Sequence, residues 1–245
     1  MFKDHFSKHA ELYATARPGY PADLYESLAR LAPVTSQAWD AGCGNGQVAY
    51  ELAGWFDSVH ATDPSETQIQ QARLHPRIDY RCEPAEACSL PDDCCGLVTT
   101  AQAAHWFDLD RFYAEAMRVL VSGGVLAVWC YGLCTVTPEV DVIYRSAYSE
   151  LLGDYWPPER HLPENNYRDL DFPFQRLTLP DFAMTCQWTA DQFLAYMESW
   201  SATRRYFEDR GVDPIKNLAE PMRQAWGPAT RTVSWPLTVL ATRAG

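Results

Sequence analysis

Apolar and polar positions change period several times along this chain, and the changes mark out its elements. After a Pro-rich break at Pro18 and Pro21, Leu24, Leu28 and Leu31 recur at helical spacing. The short run "AWD" ending at Asp40 predicts a first strand, and residues 47 to about 55 predict a helix behind it. "SVHATD" (58–63) predicts a second strand. "PSETQIQQAR" (64–73) predicts a helix, with Ser65 and Gln68 spaced as a capping box and Pro64 just ahead. "IDYRCE" (78–83) and "GLVTTAQ" (96–102) read as the third and fourth strands. "DLDRFYAEAMRVL" (108–120) is amphipathic, with Phe112, Ala116 and Val119 on one side. "SGG" (122–124) predicts a turn, and "VLAVWCY" (125–131) a buried strand without charge.

Strand and helix alternate over this half, which predicts a parallel sheet with helices on both faces. After Tyr131 the alternation ends. Residues 132–175 carry Tyr144, Tyr148, Tyr155, Trp156 and Tyr167 around Pro157 and Pro158, and predict a mostly helical insertion. "DFAMTCQW" (181–188) and "VSWPLTVLAT" (233–242) are late strands, with the helix "ADQFLAYMESW" (190–200) between them.

The candidate chemistry begins where the first strand ends, in "WDAGCGNGQ". Gly42, Gly44 and Gly46 lead into a helix, and glycine there allows positive φ and close approach of a ligand to the backbone. Ligands of open α/β sheets bind at the carboxyl ends of strands. The spacing is GxGxG, whereas the dinucleotide fingerprint is GxGxxG, and Gln47 stands where its third glycine belongs. Asp40 sits two residues before the first glycine. A phosphate about 4 Å from that carboxylate would be repelled by about 4 kcal/mol at an effective dielectric near 20. A cationic amine or sulfonium would be attracted. Asp63 ends the second strand, where an acid is the expected partner of ribose hydroxyls. Glycine clusters also mark plain turns, and Asp40 also suits a turn cap. Asp63 weights the reading towards a phosphate-free nucleoside with positive charge, and S-adenosyl-L-methionine fits.

Composition narrows the partners. The 245 residues carry a formal net charge of −12, with 47% hydrophobic and 21% charged residues, as in an ordinary globular chain. The only lysines are Lys3, Lys8 and Lys216, so nucleic acid is not an expected partner. No apolar run is long enough to span a bilayer. The eight cysteines include no CxxC pair, and the opening "MFKDHFSKHAEL" has no apolar core. Reduced thiols, no metal site, a cytoplasmic location and a monomer or homodimer are expected.

Taken together, these segments resemble the class I S-adenosylmethionine-dependent methyltransferases. "WDAGCGNG" is similar to their first motif, and "HATDPSETQIQQAR" to their second-strand motif. "PAEACSLPDDCCGLVTTAQAAHWFD" and "AMRVLVSGGVLAVW" resemble the type 11, UbiE-like small-molecule branch. "HFSKHAELYATARPGYP" resembles the N-terminal signature of its trans-aconitate methyltransferase-like subgroup. The resemblance implies a single α/β domain over 1–245. Its Rossmann-like sheet has seven mostly parallel strands, the last antiparallel. An N-terminal lid over about 1–25 and a substrate cap over about 132–175 complete it.

For the cofactor it implies Gly42, Cys43 and Gly44 under the methionine part and Asp40 facing its amino group. Asp63 would hold the ribose hydroxyls, with Pro64 beside the adenine. Ala85 and Glu86 match the adenine-edge motif. Gln102 and Ala103 would line the sulfonium end, and Tyr13 and Arg17 would reach the methionine carboxylate. Gly96 replaces the aspartate common at the start of the fourth strand, with a local stability cost expected.

The implied reaction is methyl transfer to a small-molecule acceptor, a carboxylic acid being one candidate. The alternatives are a non-catalytic S-adenosylmethionine-binding module and a nicotinamide-dependent reductase. His105 is the candidate catalytic residue, as base or orienting donor; a helix-capping histidine is the structural alternative. His105, Trp106, Trp200 and Arg204 are candidate acceptor contacts. Leu194, Met197 and Trp200 equally form a helical core stripe, and Arg204 equally suits a solvent-facing position.

Overall fold

The computed structural model describes residues 18–245. Helix α1 (Ala22–Leu31) precedes β1 (Gln37–Ala41), α2 (Gln47–Leu52), β2 (Ser58–Thr62), α3 (Glu66–Gln70), β3 (Ile78–Arg81), β4 (Cys95–Ala101), α4 (Leu109–Val119) and β5 (Leu120–Tyr131). The second half holds α5 (Pro138–Ser146), α6 (His161–Glu164), β6 (Phe182–Trp188), α7 (Ala190–Glu198), α8 (Ser201–Arg210), α9 (Ala219–Trp226) and β7 (Arg231–Arg243). The strands form one sheet in the order β3-β2-β1-β4-β5-β7-β6. Neighbours from β3 through β5 pair in parallel, and β7 runs antiparallel to both β5 and β6. This is the Rossmann-like arrangement expected, with its last strand reversed.

Local sequence accounts for most boundaries. Asp108 caps α4 by accepting from the Arg111 amide at 3.3 Å, and Phe112, Ala116 and Val119 are fully buried against the sheet. Ser65 accepts from the Gln68 amide at 3.4 Å, yet α3 runs for only five residues, shorter than its polar pattern suggested. The reciprocal capping box lies instead at Thr189 and Gln192, ahead of α7.

Two expectations are corrected. The "SGG" segment is not a turn ahead of the strand. It is a bulge inside β5, where the register passes from Cys95↔Leu120 to Leu97↔Val125 with Gly123 at φ +75°. Gly96 is not a stability cost: a Cβ there would lie 2.0 Å from the Val34 carbonyl oxygen, so glycine lets the α1–β1 connection close over β4.

The core has three apolar parts. One lies on the α1 and α2 side of the sheet, one on the α4 side with Tyr167, Leu170 and Phe172, and the third is aromatic. The aromatic part joins Tyr144 and Tyr148 of the 132–175 segment to Phe193, Tyr196 and Trp200, to Met222 and Trp226, and to Trp235 of β7. The cap thus draws on residues 190–226 as well as on the segment the sequence singled out. Among the described residues no helix is long and apolar enough to cross a membrane, and no cluster of His, Cys, Asp and Glu could hold a metal ion. All eight cysteines are free.

Candidate cofactor and acceptor site

The carboxyl ends of β1, β2 and β4 meet at the glycine turn. Gly42, Gly44 and Gly46 have φ of +68°, +55° and +84°, so three left-handed residues alternate with Cys43 and Asn45. Each glycine answers to a different neighbour. A Cβ on Gly42 would lie 2.7 Å from Ala103 Cβ and 2.8 Å from Phe107 Cζ. One on Gly46 would lie 2.2 Å from the Tyr80 hydroxyl oxygen. One on Gly44 would meet nothing closer than Gln68 Oε1, 3.8 Å away, so the turn is open there. Cys43, between them, is buried, and its amide donates to the Thr62 carbonyl at 2.9 Å.

Two carboxyls flank this turn in different states. Asp63 Oδ2 accepts from the Gly44 amide and Oδ1 from the Ser65 amide, each at 2.9 Å. Strand β2 is thereby tied to the glycine turn. Asp40 is 1% exposed. Its register partner on β4 is Thr99, whose hydroxyl donates to Oδ1 at 2.9 Å. Oδ2 is buried with no well-aligned partner among the described residues. Burial, reinforced by the Asp63 charge and opposed by Thr99 and the Ala49 amide, lifts the Asp40 pKa to about 7.

The end of β4 supplies the other wall. Gln102 has φ +54°, its amide donates to the Trp129 carbonyl at 2.9 Å, and its Nε2 donates to the Tyr131 carbonyl at 2.7 Å. These bonds lock β4 to β5 where both strands end, and Ala103 backs directly onto Gly42. His105 and Trp106 follow in a 3₁₀ turn spanning Ala104–Trp106, with ring centroids 5.0 Å apart. His105 Nδ1 lies 3.1 Å from the Tyr167 hydroxyl. Burial, with the positive charges of Arg160 and His161, lowers the His105 pKa to about 3, so the ring is neutral.

The remaining expected residues fall into place unevenly. Ala85 is buried, and Glu86 Oε1 accepts from the Asp108 amide at 2.9 Å, holding the start of α4 to the loop after β3. Pro64 sits between Asp63 and the Ser65 cap, and its carbonyl accepts weakly from Cys82 Sγ at 3.5 Å. Tyr13 and Arg17 lie outside the described residues, as does most of the expected lid. Tyr20, from the same signature, packs its ring edge-on against Trp129, centroids 5.6 Å apart. Trp200 is enclosed by Tyr144, Tyr148, Trp156 and Tyr196 at the centre of the cap. Arg204 pairs with Glu208 at 2.9 Å on an exposed face of α8. The structure therefore sets Ala103 and Phe107, on either side of His105 and Trp106, against Gly42, and leaves Trp200 in an aromatic interior and Arg204 on the surface of α8.

Thr99, Phe107 and Tyr80 escaped the sequence reading, and Tyr167 was read only as part of the aromatic segment. Thr99 carried one signal, as the first of a threonine pair with Thr100 in the apolar run of β4.

The geometry can be set beside known proteins. Residues 39–128 match a family model described as a methyltransferase domain. A putative methyltransferase of Dictyostelium discoideum is 32% identical over 229 residues, covering 92% of this chain and 87% of its own. The solved structure of a putative type II methyltransferase from Anaeromyxobacter dehalogenans superposes with a TM-score of 0.88 at 44% identity, covering 93% of this chain and 98% of its own. The chain belongs to the class I S-adenosylmethionine-dependent methyltransferases. A probable S-adenosylmethionine-dependent methyltransferase of Saccharomyces cerevisiae is similar over 82% of each chain at 24% identity.

S-adenosylmethionine is thus the cofactor of this methyltransferase, and the nicotinamide alternative falls away. The residues present fit the group. Asp40 Oδ2 is an orphaned buried acceptor of the kind an ammonium would satisfy. Gly44 leaves its side of the turn bare, and Asp63 is held against it through the Gly44 amide.

Proposed function

We propose that this methyltransferase acts on a small carboxylic acid, forming a methyl ester. The observation that carries the reading is the placement of His105, whose Nδ1 meets the Tyr167 hydroxyl at 3.1 Å and whose basicity is lowered by partial burial and by the Arg160 charge. A ring so engaged and depressed is a poor base towards a phenol or a carbon acid at neutral pH. A carboxylate needs no base. It arrives as an anion, and the Arg160 guanidinium, paired with Glu164 at 3.4 Å, lies close enough to His105 to act on it.

Asp40, Asp63 and the glycine turn would hold the cofactor, Asp40 by accepting from the amino group and Asp63 from the ribose hydroxyls. Pro64, Ala85 and Glu86 would border the adenine, and Gln102 and Ala103 the sulfonium end. When bound, S-adenosylmethionine supplies a methyl group on a positively charged sulfur. His105 and Trp106 would orient the acid beside it, and orientation alone is worth about 7–11 kcal/mol of a displacement barrier. Neutralisation of opposite charges favours a dry site, and the aromatic cap supports one. Tyr13 and Arg17 would close over the methionine carboxylate from the N-terminal segment. The signature they share with Pro18, Tyr20 and Pro21 supports a place near the trans-aconitate methyltransferase-like subgroup.

The test is a panel of small carboxylic acids set against phenols and amines of matching skeleton. Release of S-adenosylhomocysteine and methylated product are followed by mass spectrometry. Methyl esters from acids, with no product from phenols, support the reading. Product from phenols or amines alone overturns it.

A further inference from the structure

We infer that Tyr167 is a positioning residue that fixes the tautomer of His105, so that the imidazole presents Nε2–H as a hydrogen-bond donor to the acceptor. The donor's target rests on the carboxylic-acid reading; the tautomer does not. Tyr167 is fully buried, 62 residues from His105 in sequence, and its hydroxyl is 3.1 Å from Nδ1. It is held there by an unusual backbone. Asn166 and Tyr167 both have φ of +53°, two consecutive non-glycine residues in the left-handed region. The Tyr167 amide donates to the Leu162 carbonyl at 2.9 Å. Gly132, just beyond β5, lets the loop close in: a Cβ there would sit 3.1 Å from Asn166 Oδ1 and 3.3 Å from the Pro163 carbonyl. A ring needed only to fill the core would not require this conformation.

The direction of the hydrogen bond follows from what surrounds the oxygen. A buried phenol hydroxyl needs an acceptor for its proton, and among the described residues His105 Nδ1 is the one hydrogen-bond partner of the Tyr167 hydroxyl. The hydroxyl therefore donates to Nδ1. In a neutral imidazole the proton then belongs to Nε2. The surroundings of His105 keep the ring neutral: it is partly buried, the Arg160 guanidinium acts on it while pairing with Glu164 at 3.4 Å, and burial leaves Tyr167 far too weak an acid to ionise. The result is a neutral donor with a set direction, where a free histidine would sample both tautomers and titrate near pH 6.5.

The experiment is nitrogen-15 NMR of the imidazole rings in the intact protein, with His105→Asn identifying the resonance and Tyr167→Phe removing the hydroxyl. The wild-type ring is expected to show a protonated Nε2 and a bare Nδ1, unchanged between pH 8 and pH 5. In Tyr167→Phe the proton redistributes towards Nδ1. With the best acid of the panel, kcat falls by about tenfold or more while KM for S-adenosylmethionine is unchanged. A wild-type ring protonated at Nδ1, or one whose tautomer is untouched by Tyr167→Phe, overturns the inference. Should Tyr167→Phe fail to fold, the wild-type spectrum alone decides where the proton lies. A donor tautomer lost in Tyr167→Phe supports the inference even if no carboxylic acid turns over, a result that counts only against the acceptor class.

Discussion

The Thr99 hydroxyl donates to Asp40 Oδ1 at 2.9 Å across the β1–β4 pairing, while the second oxygen of the same carboxyl is buried without a well-aligned partner among the described residues. One bond fixes the acid's rotamer and the other oxygen is held in reserve. Such an arrangement costs stability until a donor arrives.

Replacement of that acid tests the cost directly. Burial lifts the folded carboxyl to about 7 from its ordinary value of 3.8, so the native state holds an extra proton between those pH values. The favourable contribution is full below about pH 4 and is lost as pH rises to about 7. Asp40→Asn should therefore raise stability at pH 8 by about 2 kcal/mol, or roughly 4–8 °C in Tm, with the gain shrinking towards pH 5. Calorimetric titration should show S-adenosylmethionine binding weakened at least about tenfold in the same variant. A variant less stable at pH 8 than the parent would contradict the argument.

Gly42 and Gly123 both have positive φ, and they separate conformational cost from crowding. Gly123→Ala adds a Cβ with nothing within 4 Å, so only the left-handed backbone resists it, at about 1–2 kcal/mol. Gly42→Ala meets Ala103 and Phe107 below 3 Å as well. It should lose about 2–4 kcal/mol in denaturant midpoint analysis, with cofactor binding impaired. Equal losses at the two positions would argue against the close packing of β4's end on the turn.

Restoring the family's common aspartate at position 96 should do harm. Gly96→Asp places a Cβ 2.0 Å from the Val34 carbonyl oxygen, contact that only backbone movement relieves. A loss of about 2–4 kcal/mol in urea unfolding is expected, with the bound protein retaining its cofactor affinity. A neutral or stabilising result would mean that the Val34 segment yields freely.

Trp200→Ala probes the cap apart from the cofactor cradle. Trp200 touches four aromatic rings and is 2% exposed, so truncation should cost about 3–5 kcal/mol. Hydrogen exchange should accelerate in α5, α7 and α8 while S-adenosylmethionine affinity stays close to that of the parent. Loss of cofactor affinity instead would show that cap and cradle are one cooperative unit.

The first half was legible because its elements are local statements. The glycines after "AWD", the acid after "SVHAT" and the stripe of Phe112, Ala116 and Val119 each name their own structure within a few residues. Where the sequence misled, a distant partner decided. Gly96 reads as a missing acid until Val34 is seen above it, and "SGG" reads as a turn until β4 and residue 244 pair around it. The state of Asp40 hid for the same reason: an acid beside glycines suggests a charge, and only enclosure by Thr99 and the sheet shows a carboxyl near half-protonation at neutral pH. Tyr167 stood out only as one aromatic among several, since its contact with His105 depends on a backbone conformation that no pattern of side chains announces.

The aromatic interior of the cap is stitched from two stretches that the sheet holds apart in the chain, one before β6 and one between β6 and β7. Neither stretch can be exchanged as a cassette. A chimaera that takes residues 132–175 from a relative and keeps its own 190–226 would bring mismatched halves to a shared seam. Any exchange of this aromatic body therefore calls for transplanting both together.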